Sequence, residues 1–160
     1  MIYELRTYTM KPGMAAKAAA HSGEVGRDVR GDNYGKLEGY WMTEVGPLNQ
    51  VMHLWSYSDL IERARLRAAL TTNERWQKEY LPELRPLLVR QEVRLLNGIV
   101  GPHVPETDGN LYEFRNYRLR PGGLKDWVEH YTNVLPTREK YSRIVGLWAT
   151  EAGQPNEVCH

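Results

Sequence analysis

The chain has 160 residues, 41% apolar and 26% charged, a balance that supports a globular core and excludes a disordered chain. Its 21 Lys and Arg against 20 Asp and Glu leave a net charge of +1 with the charges scattered, which excludes the basic footprint of a nucleic-acid binder. One cysteine, Cys159, rules out an internal disulfide framework, no Cys/His spacing suits a metal, and no apolar run reaches bilayer length.

The chain starts directly on a Tyr-, Ile- and Thr-rich run, residues 2 to 9, stopped by Lys11-Pro12-Gly13, which predicts a strand and a turn. With no apolar signal core and no Arg-rich leader ahead of it, the expectation is a soluble, cytoplasmic protein without membrane partners. From Gly13 to about Arg30, Met14, Ala18, Val25 and Val29 recur between charges and predict a helix, weakened by Gly23 and Gly26. Leu37 to Val45 and Asn49 to Tyr57 predict two strands joined by a short turn at Gly46-Pro47, a hairpin. The second of these alternates strictly, setting Val51, His53, Trp55 and Tyr57 on one face and Gln50, Met52, Leu54 and Ser56 on the other.

Ser58-Asp59 opens a helix whose face is expected to be Leu60, Ile61, Ala64 and Leu66, with Glu62 placed for a capping box. Thr71 with Glu74 repeats that signature ahead of a segment with Trp76 and Tyr80, interrupted by Pro82 and Pro86. Val89 to Asn97 predicts a fourth strand. The order β-α-β-β-α-β is that of a ferredoxin-like unit, α+β, with an antiparallel sheet and helices on one face.

The chain then repeats itself. Tyr3-Glu4-Leu5-Arg6-Thr7-Tyr8 with Pro12-Gly13 returns as Tyr112-Glu113-Phe114-Arg115-Asn116-Tyr117 with Pro121-Gly122, an offset of 112 − 3 = 109. Gly39, Trp41, Thr43-Glu44, Gly46, Asn49, Val51 and His53 return as Gly146, Trp148, Thr150-Glu151, Gly153, Asn156, Val158 and His160, at 146 − 39 = 107. Such matches at Trp and His predict a duplicated unit: residues 1–97 complete, 98–110 a Gly/Pro-rich linker, and 111–160 the first half of a second copy with its own helix carrying Leu124, Trp127, Val128 and Tyr131.

The opening Tyr-Glu-Leu-Arg-x-Tyr, the Pro-Gly after it, Gly-x-Trp in the second strand, and Asn-x-Val-x-His-Leu-Trp-x-Tyr in the third, trailed by Arg63 and Arg65, resemble the NIPSNAP family. The resemblance implies the dimeric α+β barrel superfamily, in which two ferredoxin-like sheets face each other across a barrel, and hence a homo-oligomer formed through sheet faces. An independent argument agrees: a sheet with helices on one side needs its other side covered. NIPSNAP members have no firmly established reaction, while relatives in the superfamily include haem-handling proteins and cofactorless monooxygenases. No cofactor and no metal are implied for this chain.

His53 is the leading catalytic candidate, because an imidazole on an inward strand face can act as a base or anchor a ligand; the alternative is a buried structural histidine. Glu4, Arg6 and Tyr8 share a face of the first strand, where Arg6 could fork an acidic ligand or be satisfied by Glu4 or Glu44. Trp41 and Trp55 could wall a pocket or be plain core. Thr43, Glu44, Gly46 and Asn49 read as hairpin geometry, and Arg63 and Arg65 as solvated helix residues unless they reach a carboxylate of the partner sheet. Two function classes stay open: a module binding a small apolar or acidic molecule, and a cofactor-independent monooxygenase- or isomerase-like enzyme with His53 as base in the barrel cleft.

Overall fold

β1, Ile2–Met10, is the central strand of the first unit: Tyr, Ile and Thr suit a pleated surface buried on both faces, and every residue except Thr9 is buried. The computed structural model describes residues 1–160 except Glu106 and Asp108, which fall in the expected linker and so lie outside the described residues. The chain divides into two units, Met1–Val93 and Arg94–His160.

In the first unit a helical run follows β1: α1, Ala15–His21, a π-turn at Ser22–Gly26, and α2, Arg27–Arg30. The two glycines expected to weaken this helix sit in the π-turn. Gly26 has a use there, since a Cβ would stand 2.7 Å from the Tyr80 ring. β2, Lys36–Met42, and β3, Gln50–Tyr57, form the expected hairpin. Its strands are shorter than expected because Asn49 turns left-handed at φ 58° and its side-chain oxygen accepts the Gly13 N–H at 2.9 Å.

α3, Leu60–Thr71, opens as predicted. Asp59 accepts the Glu62 N–H, and Glu62 accepts from the Ser58 N–H, both at 2.7 Å. Its buried face is not Leu60, Ile61, Ala64 and Leu66: Ile61 is 82% exposed and Leu60 and Ala64 are also exposed, leaving only Leu66 partly buried. Arg63, Leu66, Arg67 and Leu70 turn inward instead, at helical spacing, because Arg63 has a buried carboxylate to meet. The next helical segment is capped by Asn73, which accepts the Trp76 N–H at 2.9 Å, rather than by Thr71. It continues as a π-turn, Trp76–Tyr80, then α4, Leu81–Leu84, and a 3-10 turn, Arg85–Leu87.

β4, Leu88–Val100, runs past the expected end at Asn97. The strand order of the first unit is β2-β3-β1-β4, with antiparallel β1–β3 and β2–β3 pairs, which is the ferredoxin-like arrangement. Tyr8, Met10 and Val51 from the sheet pack with Ala18, Tyr80 and Leu84 from the helices, so the Val51–His53–Trp55 face is the helix-covered one.

The second unit holds the later half of β4, β5 (Asn116–Arg118), α5 (Leu124–Arg138), β6 (Leu147–Ala152) and β7 (Glu157–Cys159), in the order β4-β6-β7-β5. Glu157 is buried and takes the Arg94 guanidinium at 2.9 Å. No helix of the described residues is long and apolar enough to cross a membrane.

Candidate functional site

A cavity of about 260 Å³ opens in the first unit between the sheet and its helices. Register explains which strand residues reach it. Arg6 stands opposite His53, Tyr8 opposite Val51, and Glu4 opposite Trp55 across the β1–β3 pair, all on the helix-covered face. The candidate residues therefore do not face a cleft between two sheets, as expected, but lie beneath their own helices.

β2 delivers a different residue from the one expected. A bulge between Leu37 and Gly39 adds one residue against β3, so that Leu37 sits opposite Trp55 while Tyr40 sits opposite His53. Leu37 and Tyr40 both line the cavity in consequence, and Trp41 does not. The Trp41 ring folds over Gly39, where a Cβ would lie 2.1 Å from it. Tyr40 takes the role expected of Trp41: its ring stacks on His53 at 5.5 Å between centroids and 9° between planes, while Tyr8 meets the same imidazole edge-on at 4.8 Å.

Glu4 is fully buried behind the cavity and does not line it. Its carboxylate is shared by two arginines, accepting from Arg6 at 2.8 Å and from Arg63 of α3. Burial works to raise the Glu4 carboxyl, but Arg6, with Arg67 and Arg63, outweighs it and holds the group below the usual carboxylate range. Arg6 also donates to the Tyr8 hydroxyl at 2.7 Å. Its partner is thus Glu4, not Glu44, and the expected solvated Arg63 is drawn in, whereas Arg65 stays exposed beside Glu62.

His53 accepts the Trp55 indole N–H on Nδ1 at 2.5 Å. Since indole only donates, Nδ1 must be unprotonated, and a neutral ring then carries its proton on Nε2. Burial first, and then the positive fields of Arg6, Arg30 and Arg67, hold its pKa well below the ordinary histidine value, so the ring is neutral near pH 7.

Several cavity residues were not singled out in the sequence. Arg30, at the end of α2, stacks over the Trp55 ring at 3.2 Å, and Arg67 enters from α3. Trp76 and Tyr80 close the helical side, their rings tilted by 34° with centroids 4.1 Å apart. The Tyr80 hydroxyl meets Ser22 at 2.9 Å, and burial pushes its pKa up. The spacing of Arg63 and Arg67 to the buried Leu70 carried the one available signal for Arg67; Arg30 looked like an ordinary helix-end cation. Among the described residues no group of three His, Cys, Asp or Glu could hold a metal.

The second unit shows similar local geometry. Arg115 donates to Glu113 at 2.6 Å and to Tyr117 at 3.3 Å, but the Arg115 side chain is 41% exposed. Arg115 and His160 exchange both backbone hydrogen bonds, matching the Arg6–His53 pair. Gly146 lies under Trp148 as Gly39 does under Trp41, and Asn156 turns at φ 56° as Asn49 does at 58°. The His160 Nδ1 meets the Tyr131 hydroxyl at 3.1 Å.

The model of the NIPSNAP family matches residues 3–99 and 112–160. Protein NipSnap homolog 3A of Homo sapiens is 28% identical over 163 residues, which cover 99% of this chain and 65% of that protein. Protein NipSnap homolog 1 of Danio rerio is 29% identical, covering 99% of this chain and 58% of its own length. The chain thus spans less than two thirds of these relatives. Among solved structures, an uncharacterized NIPSNAP-like domain protein from Burkholderia xenovorans is 42% identical, with a TM-score of 0.60 over 65% of this chain and 90% of that one. A NIPSNAP family protein with unknown function from Agrobacterium tumefaciens is 35% identical, with a TM-score of 0.57 over 59% of this chain and 85% of its own. A candidate monooxygenase from Fusobacterium nucleatum, 12% identical with a TM-score of 0.70 over 99% of this chain and 72% of that one, shares the fold alone.

Proposed function

The chain belongs to the NIPSNAP family, and on that premise we propose that its first unit is a small-molecule-binding module whose ligand enters the cavity between sheet and helices. One observation carries the reading: the aromatic-walled cavity brings Arg6, Tyr8, His53 and Trp55 together, and the His53 lone pair on Nδ1 is already committed to Trp55. His53 serves as an N–H donor to a ligand through Nε2, Tyr40 and Trp55 form walls, and Glu4 holds Arg6 in place from behind. Trp41 lies outside this cavity and has no place in the proposed site.

The alternative reading, a cofactor-independent monooxygenase- or isomerase-like enzyme, needs His53 as a base. An open cavity with His53, Arg6 and Tyr8 around it supports that class, but the one lone pair of the neutral ring, on Nδ1, is already taken by the Trp55 N–H, so none is left to accept a proton from a substrate. The binding reading is therefore preferred.

We also read residues 1–97 as one complete copy joined through 98–110 to the first half of another, 111–160. The matching Arg–His pairs, glycine–tryptophan contacts and left-handed asparagines support this. Association between copies of the chain is proposed at β4, where Val89 and Val93 are exposed on either side of the cavity-lining Gln91.

A fragment screen followed by proton–nitrogen NMR tests the module. Compounds that bind are expected to move the indole N–H signals of Trp55 and Trp76. A screen in which no fragment moves either signal overturns the reading.

A further inference from the structure

The lining of the cavity is unbalanced in charge. Arg6, Arg27, Arg30, Arg67 and Arg85 line it together with His53, and no Asp or Glu does. Two of the five are already matched, Arg6 by Glu4 at 2.8 Å and Arg27 by Asp32 at 2.7 Å. Arg30, Arg67 and Arg85 form no salt bridge among the described residues.

Arg30 is the most demanding of these. It is 3% exposed, and its guanidinium carbon lies 3.2 Å over the Trp55 ring. One of its nitrogens, Nη2, donates to the Tyr34 carbonyl at 2.9 Å and to the Tyr57 hydroxyl at 3.0 Å, both neutral acceptors. Nε is buried with no acceptor among the described residues. Burial lowers its pKa to about 10, so it remains a cation at neutral pH. A buried cation without a counter-charge and an N–H without a partner are both unfavourable, and such features persist where something outside the chain completes them.

We propose that the acidic group of a small organic anion completes this site, a carboxylate held by Arg30 and Arg67 with its apolar body against Trp55 and Tyr40. This rests on the cavity being a ligand site. A guanidinium takes carboxylates and phosphates alike, but aromatic walls give an organic body something to pack on. The volume of about 260 Å³ lies just under the roughly 300–1,000 Å³ usual for ligand pockets, which limits that body to about one ring or a short chain.

The test uses the full chain with benzoate, the similarly shaped but neutral benzamide, and inorganic phosphate, each titrated by NMR against wild type, Arg30→Gln and Arg67→Gln. Because Arg67 is only partly buried and makes no hydrogen bond among the described residues, Arg67→Gln should fold even where Arg30→Gln does not. Benzoate is expected to bind wild type about tenfold or more tighter than benzamide, and the preference is expected to collapse in the variants. Equal binding of benzoate and benzamide would overturn the anionic assignment and leave the cavity reading standing. A preference that survives Arg67→Gln, or phosphate competing as strongly as benzoate, overturns it too. If neither organic probe binds and neutral fragments are also silent, the cavity reading itself falls.

Discussion

His53 is the central residue of the proposed binding site, and its state can be read in stability. In the folded chain its pKa lies well below the ordinary value, while in the unfolded chain it returns to about 6.5. Between those two values the unfolded chain binds a proton that the folded chain refuses. Stability therefore rises with pH in that window and is lost as pH falls below about 6.5, at up to about 1.4 kcal/mol per pH unit. His53→Gln keeps an acceptor for the Trp55 indole and does not titrate. Thermal melts of the variant are expected to show a flatter dependence than wild type from about pH 6.5 to pH 5. The depressed Glu4 carboxyl acts in the same direction, but at more acid pH, and it is present in both proteins. Identical slopes would mean that the imidazole titrates normally, and the donor role would go with it. Position 53 was legible from strand alternation and recurrence at His160; its tautomer was not, because that depends on a tryptophan two residues along turning its N–H inward.

At the scale of elements, the strand and helix order could be read from period and punctuation, while the faces often could not. Apolar count alone favoured Leu60 and Ile61 on α3, yet a buried carboxylate at Glu4 turns Arg63 inward, which brings Arg67 to the same face and leaves Ile61 in solvent. One bulged residue in β2 exchanged Trp41 for Tyr40, and no local sequence signal marks such an insertion. The helical run after β1 offers a paired test of how the element is fitted. Gly23 has nothing within 4 Å of a built Cβ, whereas a Cβ on Gly26 would meet the Tyr80 ring at 2.7 Å. Gly23→Ala is expected to stabilise by about 0.5–1 kcal/mol, through lower backbone entropy in the unfolded chain. Gly26→Ala should cost about 1–3 kcal/mol and crowd the cavity through Tyr80. Denaturant midpoints check both, and equal signs for the two variants would contradict this packing.

At the scale of the whole molecule, the recurrence at offsets of 109 and 107 residues suggested a unit of roughly 100 residues that could be read element by element, and the first compact unit ends at Val93. What it left open was which part of the chain suffices for binding. Every residue lining the cavity lies at or before Gln91, and β1 to β4 end at Val100. The solved Burkholderia and Agrobacterium relatives align with only 65% and 59% of this chain, yet those stretches make up 90% and 85% of their own. Chains of little more than one unit therefore occur in this family. A fragment of residues 1–100 is expected to unfold in one cooperative transition and to keep the fragment-induced shifts of Trp55 and Trp76. A non-cooperative melt, or loss of those shifts in a folded fragment, would mean that the cavity needs residues beyond β4. Light scattering on the same samples addresses association, with Val89 and Val93 present in both: twice the chain mass is expected for fragment and full chain alike. Monomeric masses would leave the exposed β4 valines without the partner assigned to them.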